Sequence, residues 1–195
     1  MNWIPQLVTG GDDKIVALVP EALEARGLCR QKQYGRALGI LWQMLRLARR
    51  SDSKEREAFV LIHIGKVYRN WIWDIALKFF RDGLAAAQGC GFKRGEMIAN
   101  NAIGELYYAW GKQDEALKYY TRSLHAAHEL GDPSCQREIL LDMVDCYEEQ
   151  GEFERCDELV REALRIDEEL DGRTLGDVAM TAEYAEGSRA RTAVG

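Results

Sequence analysis

Apolar residues recur along the chain at i, i+3, i+4 and i+7 in stretches separated by short polar turns, the period of amphipathic helices rather than strands. Ile98, Ile103, Leu106 and Tyr107 form one such stripe and Ala116, Leu117, Tyr120, Leu124 and Ala127 the next, with Gly111, Lys112, Gln113 and Asp114 between them. Prolines stand only at 5, 20 and 133, so more than a hundred consecutive residues contain no helix breaker. The pattern predicts an all-α chain.

The two-stripe pattern repeats. Residues 103–120, IGELYYAWGKQDEALKYY, echo residues 64–80, IGKVYRNWIWDIALKFF, which lack one turn residue. Residues 143–160, MVDCYEEQGEFERCDELV, keep Tyr147 nine positions before Cys156, as Tyr107 precedes Ala116 and Leu28 precedes Ala37. Ala37, Ala76, Ala116 and Cys156 lie 39, 40 and 40 residues apart. Four helical hairpins are therefore expected, at about 14–51, 52–91, 92–131 and 132–171. The small residues, with Gly65 and Gly104, mark places where paired helices approach closely, because a bulky side chain there forces a hairpin apart. Asp132 before Pro133 is a strong helix start, and Asp52 with Glu55 predicts a capping-box-like start for the second hairpin.

This phrase resembles the tetratricopeptide repeat (TPR) family. Ile103, Gly104, Tyr107, Gly111, Ala116 and Tyr120 match its pattern in the third copy, and Ile64, Gly65, Tyr68, Ala76 and Phe80 in the second. Asn100 replaces the pattern's first Trp and no copy has the closing Pro. The second helices run on into HELGDP (128–133) and EELDG (168–172), as in the longer, roughly 40-residue subclass found in cytoplasmic scaffolds and bacterial peptide-sensing regulators. The resemblance covers about residues 15–171, with Glu24 and Ala25 in place of the Leu-Gly pair in the first copy. It implies an α-α superhelix, a TPR-like solenoid of four antiparallel helical hairpins, whose concave groove is lined by the first helix of each hairpin. The residues implied to line it are Arg26 and Arg30 in the first copy; Phe59, Ile62, His63, Lys66, Arg69 and Asn70 in the second; Ile98, Asn101, Glu105 and Tyr108 in the third; and Leu141, Asp142, Asp145 and Glu148 in the fourth. The family's carboxylate clamp does not map, since Asn101 is one position off and the fourth copy carries acids where the clamp has cations.

Charge is segregated along the chain. Residues 1–131 hold 19 Lys and Arg against 14 Asp and Glu, whereas residues 132–171 hold 4 against 15. A groove running from basic to acidic suits a protein segment; a chain of net charge −6 with scattered cations is a poor nucleic-acid binder. The turn of the second copy, Trp71, Ile72 and Trp73, breaks the Gly-containing turn pattern and offers a second interface, because aromatic residues dominate interface hot spots. At the ends, residues 1–13 form an apolar lead with Trp3, Ile4, Leu7 and Val8, and residues 172–195 a short capping helix and tail.

Catalytic chemistry has no local support. There is no phosphate-cradling glycine motif, and His125 and His128 share a helix face without a third metal ligand nearby. Cys29, Cys90, Cys135, Cys146 and Cys156 contain no C-x-x-C and are odd in number, so reduced thiols in a cytoplasmic protein are expected. No stretch is apolar and long enough for a membrane span, and no secretory signal is seen. The expected function is a non-catalytic, cofactor-free adaptor that binds a peptide or helix of another protein in the groove. Two other functions fit the same phrase: a regulatory sensor answering a signalling peptide or small ligand, and a structural subunit, a homo-oligomer assembled through Trp71 to Trp73 or the array ends.

Overall fold

The computed structural model describes residues 19–170 and residue 172. The lead at 1–13 and, residue 172 apart, the capping helix and tail at 172–195 lie outside the described residues. The described chain is helical: α1 (Val19–Arg30), α2 (Tyr34–Arg50), α3 (Lys54–Tyr68), α4 (Trp73–Cys90), α5 (Lys93–Ala109), α6 (Gln113–Leu130), α7 (Pro133–Gln150) and α8 over 153–170. Residues up to Ala126 and residues from Ala127 onward form two compact units, with the boundary inside α6.

In the first unit α3 is the central element, packing against α2, α4 and α5. Its core holds Leu41, Leu45, Val60, Ile62, Ile64, Phe80, Ile103 and Leu106, all but free of solvent. Burying a ring such as Phe80 contributes about 1.5–3 kcal/mol. The small-residue register does what its pattern implies. A Cβ on Gly65 would stand 2.6 Å from the Phe80 ring, and one on Gly104 2.7 Å from the Tyr120 ring. Ala37, Ala76 and Ala116 are fully buried. Ser123, also buried, satisfies its hydroxyl by donating to the Met97 carbonyl at 2.9 Å.

Most turns close on a left-handed residue: Gly91 at φ 70° ends α4, and the Phe92 N–H then reaches back to the Ala87 carbonyl at 2.9 Å. The expected Asp52 start for the second hairpin is corrected here. Asp52 adopts φ 50° and closes the turn after α2, while α3 begins at Lys54 behind Ser53, with no side-chain cap.

The second unit contains α7, α8 and the end of α6. Asp132 caps α7 as expected, its carboxylate accepting from the Cys135 N–H at 3.1 Å ahead of Pro133. Ile139, Leu140, Met143, Val144 and Cys146 from α7 are buried, as are Cys156, Ala163 and Ile166 from α8. Arg137 and Asp167 tie the two helices with an ion pair of 3.2 Å.

Candidate partner-binding site

Helical spacing sets His63, Lys66 and Arg69 along one stripe of α3. All three are half-buried, and Arg26 of α1 is half-buried with them. Burial, and then the charges of Arg69 and Arg26, lower the Lys66 pKa to about 8. Burial lowers Arg26, and Arg30 adds to the effect; burial also lowers Arg69, against which the Tyr120 hydroxyl acts. Half-burying several cations costs free energy, offset at Arg69 by an ion pair with Glu105.

His63 is a different kind of group. Its Nδ1 donates to the Phe59 carbonyl at 2.8 Å and its ring lies 4.2 Å from that of Phe59. Burial first, then the Lys66 charge, lower its pKa to about 4, so the imidazole is neutral at pH 7. From α5, Glu105 forms an ion pair with Arg69 and accepts from the Asn101 amide at 3.2 Å. The Asn101 Oδ1 is buried with no hydrogen-bond partner among the described residues.

The structure thus gathers Arg26, His63, Lys66, Arg69, Asn101 and Glu105 within the first unit. Other expected lining residues sit differently. Phe59, Ile62 and Ile98 are buried in the core. Asn70 is exposed and folds back onto the Val67 carbonyl at 2.9 Å, closing the end of α3. Arg30 is exposed and Tyr108 half-buried. In the second unit Leu141, Asp145 and Glu148 are exposed on α7 and Asp142 is half-buried.

The chain matches no protein-family model and no curated relative. Solved structures resemble it clearly. BtubC (BKLC) from P. vanneervenii aligns with a TM-score of 0.69 at 18% identity, over 86% of this chain and 69% of that one. The TPR domain of Arabidopsis FLU aligns with a TM-score of 0.55 at 25% identity, over 59% of this chain and 98% of that domain. The Rap protein complexed with Competence and Sporulation Factor aligns with a TM-score of 0.53 at 18% identity, over 77% of this chain and 52% of that one. The fold is TPR-like.

On this TPR-like frame the shortened turn is an aromatic junction. Trp71, Ile72 and Trp73 are 44%, 41% and 39% exposed. Their rings nevertheless have neighbours: Trp71 lies 4.6 Å from Tyr34 and 5.9 Å from Tyr68, and Trp73 lies 6.1 Å from Trp110. Sequence reasoning missed Tyr34 and Trp110 as their partners. The available signal was Trp110, which immediately precedes the Gly111 turn of the next copy.

The thiols and histidines take ordinary places in the TPR-like frame. Cys146 is buried and its thiol is pushed up to about 12, by burial and then by Asp145 and Asp142. Cys156 is buried with its Sγ 3.8 Å from the Val144 carbonyl. Both occupy core positions, and a thiol held protonated is a poor nucleophile. His125 and His128 are exposed. Among the described residues no three His, Cys, Asp or Glu side chains are placed to hold a metal, and no helix is long and apolar enough to cross a membrane.

Proposed function

We propose that this chain is a non-catalytic adaptor of the cytoplasm, built as four hairpins over about 14–171, which binds a peptide or helical segment of a partner protein on its first helices. The observation that carries this reading is the half-buried group Arg26, Lys66 and Arg69 on α1 and α3, with Asn101 and Glu105 of α5 beside it. Charged and polar groups gathered on one face fix the orientation and register of a bound segment. Tyr108 of α5 belongs to the same unit, and the second unit offers a contact surface of its own on α7, with Leu141, Asp142, Asp145 and Glu148. Trp71 to Trp73 provides a second surface.

The test is affinity capture from native extract with wild type beside Lys66→Glu/Arg69→Glu, followed by calorimetric titration of each captured protein. A partner that loses about tenfold or more in affinity for the variant supports the adaptor reading. Unchanged affinity for every partner overturns it. A regulatory sensor is the second reading, favoured by the likeness to the Rap protein, whose structure holds Competence and Sporulation Factor.

A further inference from the structure

We propose that the turn joining α7 and α8, led by Phe153, docks against the Trp71 to Trp73 ridge of a second copy of this chain, so that copies join head to tail. This names the occupant of the second surface and does not depend on what binds the first helices.

The ridge joins three turns of the first unit. Trp71 lies 4.6 Å from Tyr34, which opens α2 behind the α1–α2 turn, and Trp73 lies 6.1 Å from Trp110, which closes α5 ahead of the next turn. Trp71, Ile72, Trp73 and Ile75 are all exposed, and apolar surface gathered in this way marks an interaction site. The rings already hold one another, so little side-chain entropy is lost when something docks on them. Cations border the ridge. Residues 26–36 hold four Arg and Lys and no acid, and of these Arg30, Lys32 and Arg36 are exposed. Lys112 lies 5.7 Å over the Trp110 ring. The acids that follow Trp73 and Lys112 in sequence, Asp74, Asp114 and Glu115, belong to α4 and α6, and Glu115 is paired with Lys118 at 2.7 Å. An acidic visitor is therefore drawn to the α1–α2 side.

The complementary surface is in the second unit. Phe153 is 68% exposed, more than any other large apolar side chain among the described residues. Residues 148–158 hold six acids against one Arg, and all six acids are exposed. That one cation, Arg155, is already placed over the Tyr147 ring at 5.3 Å and pairs with Glu152 at 3.9 Å. An exposed ring among acids thus answers an aromatic ridge among cations. The wider field agrees: residues 19–126 carry 18 Lys and Arg against 11 Asp and Glu, and residues 132–171 carry 4 against 15, so the two surfaces attract before they touch. They are different patches of one chain, and such a contact adds copies in a line or a ring instead of stopping at a symmetric pair.

The experiment is sedimentation velocity of the full chain over a concentration series, with no other protein present. Wild type is expected to grow beyond a dimer as concentration rises, and to lose about tenfold in association between about 0.05 and 0.5 M salt. Phe153→Ser and Lys32→Glu/Arg36→Glu change exposed side chains, and each alone is expected to weaken association about tenfold or more. Mixed together, these two variants are expected to form pairs and nothing larger, because the first keeps its ridge and the second keeps its Phe153 turn.

Wild type that stays monomeric up to about 1 mM, association that survives Phe153→Ser, or a mixture no heavier than its components each overturns the proposal. So does wild type that stays monomeric while Trp71→Ser loses a captured partner, which gives the ridge to another protein. Because self-association is read without a partner, its failure leaves the adaptor reading standing, and failure of partner capture leaves the head-to-tail contact standing.

Discussion

Helices α3 and α7 hold the same place in their hairpins, 79 residues apart, yet the stripe that reads His63, Lys66 and Arg69 on α3 reads Asp142, Asp145 and Glu148 on α7. The environments differ as well as the signs. The α3 groups are all half-buried, whereas Asp145 and Glu148 are exposed. Packing differs in step: α3 has Gly65 under the Phe80 ring, and α7 has Val144 at that register, with Val160 where Phe80 stands. One repeat plan therefore carries two surfaces of opposite charge. Withdrawal from water is what separates them, since a half-buried charge gains much from a partner and an exposed one gains little.

The most severe way to break this comparison is to write the α7 residues into α3. Lys66→Asp with Arg69→Glu should reduce affinity for a partner captured through α3 about a hundredfold, by losing its contacts and placing new acids beside Glu105. The reciprocal change, Asp145→Lys with Glu148→Arg, should create affinity for that partner at least tenfold below that of native α3, because those positions are solvated. Titrating both variants by anisotropy decides the matter. Equal affinity at the two faces would show that net charge alone governs recognition.

A smaller effect separates the two packing solutions. Gly65→Val should destabilise the first unit by about 1–3 kcal/mol, since the Phe80 ring is fully buried and has nowhere to move. Phe80→Leu alone should also cost stability, by opening a void. Together they should cost less than their sum by about 0.5–3 kcal/mol, as expected for residues in contact. Urea unfolding of the two single variants and the pair measures this coupling. Simple additivity would mean that the glycine and the ring do not constrain each other.

Much of this fold was legible because its signals are local. Apolar period, turn spacing and small residues at Ala37, Ala76, Ala116 and Gly104 each report a contact between sequence neighbours, and Asp132 with Pro133 reports a helix start. The accessible face of α3 was harder to read. Ala58 to Ile62 form an unbroken buried run, because α3 is enclosed by α2, α4 and α5, so a helical period cannot assign Phe59 and Ile62 to a single side. The Asp52 start failed for a related reason. An Asp tolerates the left-handed backbone nearly as well as it caps a helix, and a turn needing φ 50° took it. The association of Trp71 with Tyr34 joins residues 37 apart in sequence and has no local signature.

The smallest expected effect concerns His63, which shows that the α3 stripe is not uniformly charged. Its pKa of about 4 in the folded chain lies below the ordinary value near 6.5, chiefly because burial penalises the imidazolium. Between these values the unfolded chain binds more protons than the folded one, so stability rises as pH increases from about 4 to 6.5 and is lowest, for this group, below 4. Carboxylates titrate over part of the same range, so wild type alone cannot isolate the effect. Thermal melts of wild type and His63→Gln should show the difference in Tm shifting in favour of wild type across that window and constant above pH 7. A flat difference would place His63 in water, and the desolvated stripe on which Lys66 depends would fall with it. A rising difference would locate the dry part of the face at His63 and Phe59, where the ring contact and the Nδ1 hydrogen bond already hold the imidazole.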